Sequence, residues 1–187
     1  DPATDSWTKK SNLSSDRGAH RAVAVNGKIY IIGGTCFPNY PPLKIVEEYD
    51  PATDTYTTKA DMLIGRWCFA TSAVDGIIYA IGGQSSGGSW SNTVYAYNTA
   101  TDTWTQKNWM PTPRTHFSAA AVNGKIFAIG GGTSPNISFS TVELTPMYSE
   151  SCCQSAISDF YQRTALPWER LTSGVLSEAL AGYQFES

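Results

Sequence analysis

The chain has 187 residues, a formal net charge of −3, 41% apolar and 16% charged residues. That balance gives no basic footprint for nucleic acid or an anionic membrane surface. No apolar run approaches the ~20 residues of a membrane-spanning helix.

In chain order, residues 1–9 read DPATDSWTK and lead into HRAVAVNGKIYIIGG at 20–34. The glycine pair that closes this stretch, Gly33-Gly34, returns at Gly82-Gly83 and at Gly130-Gly131, spacings of 49 and 48 residues. Over 34 positions, Asn98–Gly131 is identical at 17 both to Asp50–Gly83 and to Asp1–Gly34. A period of this size marks a repeat architecture built from one supersecondary unit.

Each unit reads as four short strands. Ala22–Val25 and Lys28–Ile32 flank Asn26-Gly27. Asn-Gly between two β-prone runs predicts a two-residue type I′ turn, because both central positions need positive φ. Asp75-Gly76 and Asn123-Gly124 stand at the same place, so hairpins are expected within 20–34, 68–83 and 116–131. The near-continuous apolar character of these strands predicts burial on both faces. The double glycine ends the second strand, where glycine lets neighbouring backbone come close. Unlike loops follow at 35–44, 84–92 and 132–140. Third strands are expected over Ile45–Tyr49, Thr93–Tyr97 and Thr141–Thr145. A turn (DPATD, NTATD) capped by Asp or Asn side chains then leads to a fourth strand. Fourth strands are expected at Thr4–Lys9, Thr55–Lys59 and Thr103–Lys107, carrying Trp7, Tyr56 and Trp104. Four antiparallel strands per ~48 residues make one blade of a β-propeller.

The pattern resembles the kelch-repeat family over residues 1–145. The glycine pairs carry the resemblance, with Tyr49 and Tyr97 before the turn and Trp7, Tyr56 or Trp104 after it. Thr145 departs from it, standing where the tyrosine is expected, and no DPATDTW follows. The fold class is therefore all-β, a propeller of about three blades. Since propellers typically have roughly four to eight blades, three leave two expectations: a piece of a longer propeller, or a ring completed by a second chain. Asp1 falls in mid-repeat, which favours the first. As a lone monomer the chain would expose the apolar sides of its terminal blades, a property that promotes association. Residues 146–187 do not repeat; the spacing of Ile157, Phe160 and Tyr161, and of Trp168, Leu171 and Val175, fits two short helices, while the abrupt end of the repeat pattern favours a weakly ordered tail.

Enzymatic motifs are sparse. No Ser-His-Asp arrangement, GxGxxG or GxxxxGK(S/T) is present, and the carboxylates cluster in turns that they cap. Cys36, Cys68, Cys152 and Cys153 form no CxxC, and His20 and His116 lack zinc-ligand spacing. No metal or cofactor is called for and no catalytic residue is assigned. Asn12-Leu13-Ser14 and Asn136-Ile137-Ser138 fit the glycosylation pattern, which counts only in a secreted chain. No targeting signal is read in the chain, and a cytoplasmic location is slightly favoured.

The resemblance implies a protein-interaction scaffold. The loops after the glycine pairs and the connections between blades fall on one face, where Phe37, Tyr40, Trp90 and Phe139 are candidate anchors. Arg17, Arg66 and Arg114 each lie ten residues before a turn glycine. The family implies that such arginines bind an acidic peptide; pairing with a neighbouring blade's backbone or carboxylate explains them equally. Gly33, Gly34, Gly82, Gly83, Gly130, Gly131, Trp7, Tyr56 and Trp104 are assigned to structure, the aromatics packing between blades. The resemblance also implies a second function: a sugar- or sialic-acid-related epimerase, or an oxidase, of kelch-like fold.

Overall fold

The Asn-Gly and Asp-Gly dipeptides do what their backbone preferences require. In the computed structural model, Asn26 and Gly27 have φ of 51° and 76°, Asp75 and Gly76 50° and 77°, and Asn123 and Gly124 50° and 70°. These paired positive values match the right-handed twist of the strands they join. The structure describes residues 1–36, 41–134 and 137–145.

The first sheet runs β1 (Arg21–Val25), β2 (Lys28–Ile32), β3 (Val46–Asp50), β4 (Thr55–Lys59), each antiparallel to the next. The second repeats the order with β5 (Ala70–Val74), β6 (Ile77–Ile81), β7 (Val94–Asn98) and β8 (Thr103–Lys107). The third holds β9 (Ser118–Val122), β10 (Lys125–Ile129) and β13 (Val142–Thr145). A small ribbon of β11 (Gly132–Ser134) and β12 (Ile137–Ser138) lies in the loop between β10 and β13.

Burial is deepest in the second and third strands of the first two sheets; β1 and β9, expected to be buried on both faces, are respectively half-exposed and mostly exposed. In β6 four of five residues are buried and in β7 the first four, whereas β8 is largely exposed. The outer strands β4 and β8 are accordingly rich in threonine, and each ends in a lysine. The equivalent register Tyr49 opposite Tyr56, and Tyr97 opposite Trp104, sets an aromatic pair at the same place in two sheets. Their ring centroids are 4.8 and 5.0 Å apart.

Two apolar cores fill the spaces between consecutive sheets. Val25, Tyr30, Ile32 and Val46 of the first sheet meet Ile78, Ala80 and Tyr97 of the second, with Met62 and Phe69 from the connection. Tyr79, Ile81 and Val94 of the second meet Ile126 and Ala128 of the third, with Met110 and Phe117 from the connection. Positions 49 or 48 residues apart thus play the same part twice.

Three expectations are corrected or left aside. The stretch Thr4–Lys9 forms no strand with a described residue, although residues 1–5 do form the expected turn. Trp7 is fully exposed instead of packing between blades. The predicted tail over 146–187 lies outside the described residues.

Candidate functional site

The loops after the glycine pairs are tied to the connections between sheets by backbone bridges. Gly18 pairs with Thr35, Trp67 with Gln84, and Thr115 with Gly132. These pairs bring the two sets of variable segments to one end of the sheets.

Geometry at the glycine pairs explains why no other residue serves there. Gly34 and Gly83 have φ of 96° and 87°. A Cβ on Gly34 would stand 2.6 Å from the Gly18 carbonyl oxygen, and one on Gly83 2.8 Å from that of Trp67. Both distances are inside van der Waals contact, so these glycines are structural in the strict sense of close backbone approach.

The three arginines lie inside the fold. Arg66 and Arg114 are 1% and 0% exposed, and the Arg17 side chain is fully buried. Arg66 Nη1 donates to the carbonyls of Gly82 (2.7 Å) and Thr93 (3.1 Å), and its Nη2 to Thr93 Oγ1. Arg114 repeats this with Gly130 (2.7 Å), Thr141 (3.0 Å) and Thr141 Oγ1 (2.7 Å). Main-chain bonds run the other way: Gly34 N donates to Arg66 O (2.8 Å), and Gly83 N to Arg114 O (2.7 Å). Each of these two arginines therefore joins the sheet behind it by its carbonyl to the sheet ahead by its side chain. A guanidinium, with five donors in a planar fork, is the group able to bond several carbonyls at once.

The counter-charges differ between blades. Arg17 pairs with Glu47, and Arg114 with Glu143 at 2.8 Å. At the matching position of the second sheet stands Tyr95, its ring centroid 4.7 Å from the Arg66 guanidinium carbon. Desolvation there brings Arg66 down to about 10 from the usual 12.5. The carbonyls and the ring face take the place of a carboxylate. Of the two readings of these arginines, an acidic-peptide site and pairing with a neighbouring blade's backbone or carboxylate, the burial and the bonds fit the second.

Of the expected anchors, Trp90 is 44% exposed on the loop between β6 and β7. Its backbone bridges Gln84, whose side-chain amide donates to Gly88 O at 2.8 Å, so the indole sits on a braced loop. Phe139 is half-buried, with the Arg114 guanidinium carbon 5.1 Å from its ring centroid. Phe37 and Tyr40 lie outside the described residues. Leu63 and Ile64, on the connection between the first two sheets, are exposed at 49% and 42%; their apolar character alone does not set them apart from core residues in the sequence. Tyr56 and Trp104 are half-buried against Tyr49 and Tyr97, and Trp104 Nε1 donates to Ala60 O at 2.9 Å.

The carboxylates of the turns have structural partners. Tyr49 OH donates to Asp54 and Tyr97 OH to Asp102, both at 2.6 Å, while Ser11 N donates to Asp54 and Ala60 N to Asp102. These bonds hold both aspartates below the ordinary carboxylate range and push Tyr49 up to about 12. Among the described residues no three His, Cys, Asp or Glu side chains are grouped to hold a metal ion.

Among curated proteins none matches the chain. A solved structure described as "Structure of YjhT" matches with a TM-score of 0.66 at 15% identity, over 77% of this chain. This chain spans 56% of that one, and at such identity the likeness speaks for the fold alone. A family model described as "KLHDC2/KLHL20/DRC7 Kelch-repeats domain" matches residues 19–158. With that match over most of its length, and with repeated four-stranded sheets ending in paired glycines, the chain belongs to the kelch-repeat domain family.

Proposed function

We propose that the chain acts as a protein-interaction scaffold whose contact surface is the loop end of the sheets, with Trp90 as the central anchor. Kelch-repeat domains generally bind protein partners, which sets the class of function. The observation that carries the reading is the exposure of an indole on a loop braced by its own backbone and by Gln84. Tryptophan supplies large contact area at small entropy cost, and a braced loop has little left to lose on binding. Leu63 and Ile64 add apolar surface beside the arginine connection.

Selectivity for an acidic peptide would need cations other than Arg17, Arg66 and Arg114, whose side chains are buried. The partner in this reading is therefore an apolar or aromatic peptide segment. Sugar-acid epimerisation or oxidation remains a different reading of the same family; no observation among the described residues favours it.

The test is selection of binders from a random-peptide display library, followed by titration of the wild type and Trp90→Ala. Loss of affinity by about tenfold or more, with the unfolding midpoint unchanged, is expected for a truncated anchor. Equal affinity for the two proteins would refute the role of Trp90.

A further inference from the structure

The hairpin turns carry a chemistry that their structural role does not use. Asn26-Gly27 and Asn123-Gly124 place a side-chain amide directly before a glycine, and Asp75-Gly76 places a carboxylate there. Asparagine is among the thermally labile residues. Its Cγ is open to attack by the backbone nitrogen of the next residue, which closes a five-membered ring. A side chain on that next residue hinders the attack and restricts the backbone motion it needs, and glycine does neither. Both turns are accessible. Asn26, Gly27, Asn123 and Gly124 are exposed. Beyond the adjoining residues, nothing lies within 4 Å of the Cβ position at Gly27 or Gly124.

The second repeat already contains one product of that attack. Asp75 and Gly76 have φ of 50° and 77°, beside 51° and 76° at Asn26-Gly27 and 50° and 70° at Asn123-Gly124. The strands leave all three turns in one register, with Val25 opposite Lys28, Val74 opposite Ile77 and Val122 opposite Lys125. Asp75 is exposed, so its charge stays in water. A carboxylate at the first turn position is therefore compatible with the hairpin.

We propose that Asn26 and Asn123 are sites of spontaneous deamidation, and that the fold accepts one of the two products and not the other. At each turn the glycine nitrogen bonds to the asparagine Cγ, the Cγ–Nδ2 bond breaks and ammonia leaves. In the resulting succinimide the glycine nitrogen is held between the backbone carbonyl carbon and Cγ. Water adds at Cγ and returns the chain as aspartate, or adds at the backbone carbonyl carbon and leaves the chain running through Cβ and Cγ as isoaspartate. The net change is the same in both: amide and water give carboxylic acid and ammonia, with nothing oxidised or reduced.

The two products differ in the length of the backbone. Aspartate keeps the two-residue turn that the second repeat has. Isoaspartate adds a backbone atom inside a turn whose length and positive φ values set the strand register. The mismatch falls on strands whose side chains are committed to the cores. On β2 these are Tyr30 and Ile32, and on β10 Ile126 and Ala128, all buried. Isoaspartate therefore loosens the hairpin, and aspartate leaves it in place. This chemistry sits at the opposite end of each hairpin from the glycine pairs and does not depend on the peptide-binding reading.

The full-length folded chain is kept in mildly alkaline buffer at physiological temperature, and amide loss is followed over time by peptide mapping with mass analysis. Asn12 and Asn108, exposed and followed by Leu13 and Trp109, are the internal controls. The expected result is progressive loss of the amides of Asn26 and Asn123 while Asn12 and Asn108 keep theirs. Both products are expected at each turn, with isoaspartate read by enzymatic methyl transfer to its carboxylate. The unaged Asn26→Asp, Asn123→Asp double variant is expected to keep the wild-type urea midpoint, and the isoaspartate-containing fraction of aged wild type to unfold at lower urea. Retention of both amides by the folded chain, under conditions where the same chain in urea loses them, overturns the inference, because the turns then protect their asparagines. Equal amide loss at Asn12 and Asn108, a lowered midpoint of the double variant, or an unchanged midpoint of the isoaspartate fraction overturns it as well.

Discussion

The backbone N–H of Gly34 donates to the carbonyl of Arg66 at 2.8 Å, while the side chain of that arginine reaches Gly82 O at 2.7 Å. One residue thus links the glycine pairs of two successive sheets. Arg114 does the same between Gly83 and Gly130. The repeat period is therefore a period of joints as well as of strands, and the residue retained at each joint is the one that can donate several bonds in one plane.

Removing the joint is expected to cost stability. Arg114→Ala leaves Glu143 without its partner and two backbone carbonyls without donors, a loss of about 3–5 kcal/mol by analogy with broken buried pairs. Arg66→Lys is expected to destabilise as well, because an ammonium on a flexible stem cannot reproduce the planar fork. Urea denaturation followed by tryptophan fluorescence measures both; unchanged midpoints would remove the arginines from the account of how sheets are joined.

The glycines divide into two kinds with different expected costs. Gly124 has φ 70° and open space around its would-be Cβ. Gly124→Ala should therefore cost only the left-handed strain of about 1–2 kcal/mol. In Gly83→Ala the same strain is joined by overlap with Trp67 O and Phe69 Cα, each 2.8 Å from the new Cβ. That variant should lose several kcal/mol, about twice the first or more. Thermal unfolding of the two side by side gives the order, and equal losses would refute it.

Much of this was legible in the sequence, and the reasons are local. Asn26-Gly27 names its own turn, and the glycine pairs at 49- and 48-residue spacing mark where each second strand ends. The arginines were visible as recurrent, but recurrence does not say which way a side chain points; that depends on carbonyls contributed by residues 16 and 27 positions away. Trp7 and Trp104 occupy equivalent places in the repeat, yet one is fully exposed and the other half-buried, because a residue's own repeat does not reveal whether a strand lies beside it. Ala19, Cys68 and His116 all adopt φ near 50° at the start of a sheet. Three unlike residues at one conformation leave no pattern to read.

The two described cysteines should differ in reactivity. Cys68 is buried, and burial pushes its thiol up from the usual value. Cys36 is half-buried and donates to Asp16 O at 2.9 Å from a more accessible place. Since the thiolate is the reacting form, alkylation of the folded protein should label Cys36 faster than Cys68, by about tenfold or more. Timed iodoacetamide labelling with peptide mass analysis reads this directly; equal rates would mean that the first core opens more readily than its packing implies.

Acid stability should follow the two turn aspartates. The hydrogen bonds from Tyr49 and Tyr97, and then those from Ser11 N and Ala60 N, hold Asp54 and Asp102 below 3.8 in the folded chain. A carboxyl group depressed by folding binds its proton more readily when unfolded, so the unfolded state takes up more protons as the pH falls. The stability these groups supply is fully present above 3.8 and is lost as the pH drops through their depressed values. The Asp54→Asn, Asp102→Asn double variant keeps an oxygen acceptor for each tyrosine but has nothing to titrate. It should be less stable than the wild type near neutral pH, because a neutral amide accepts more weakly than a carboxylate. It should also lose less between about pH 5 and pH 2. Urea midpoints across that range decide the matter: parallel curves for the two proteins would show that these aspartates do not set the acid limb.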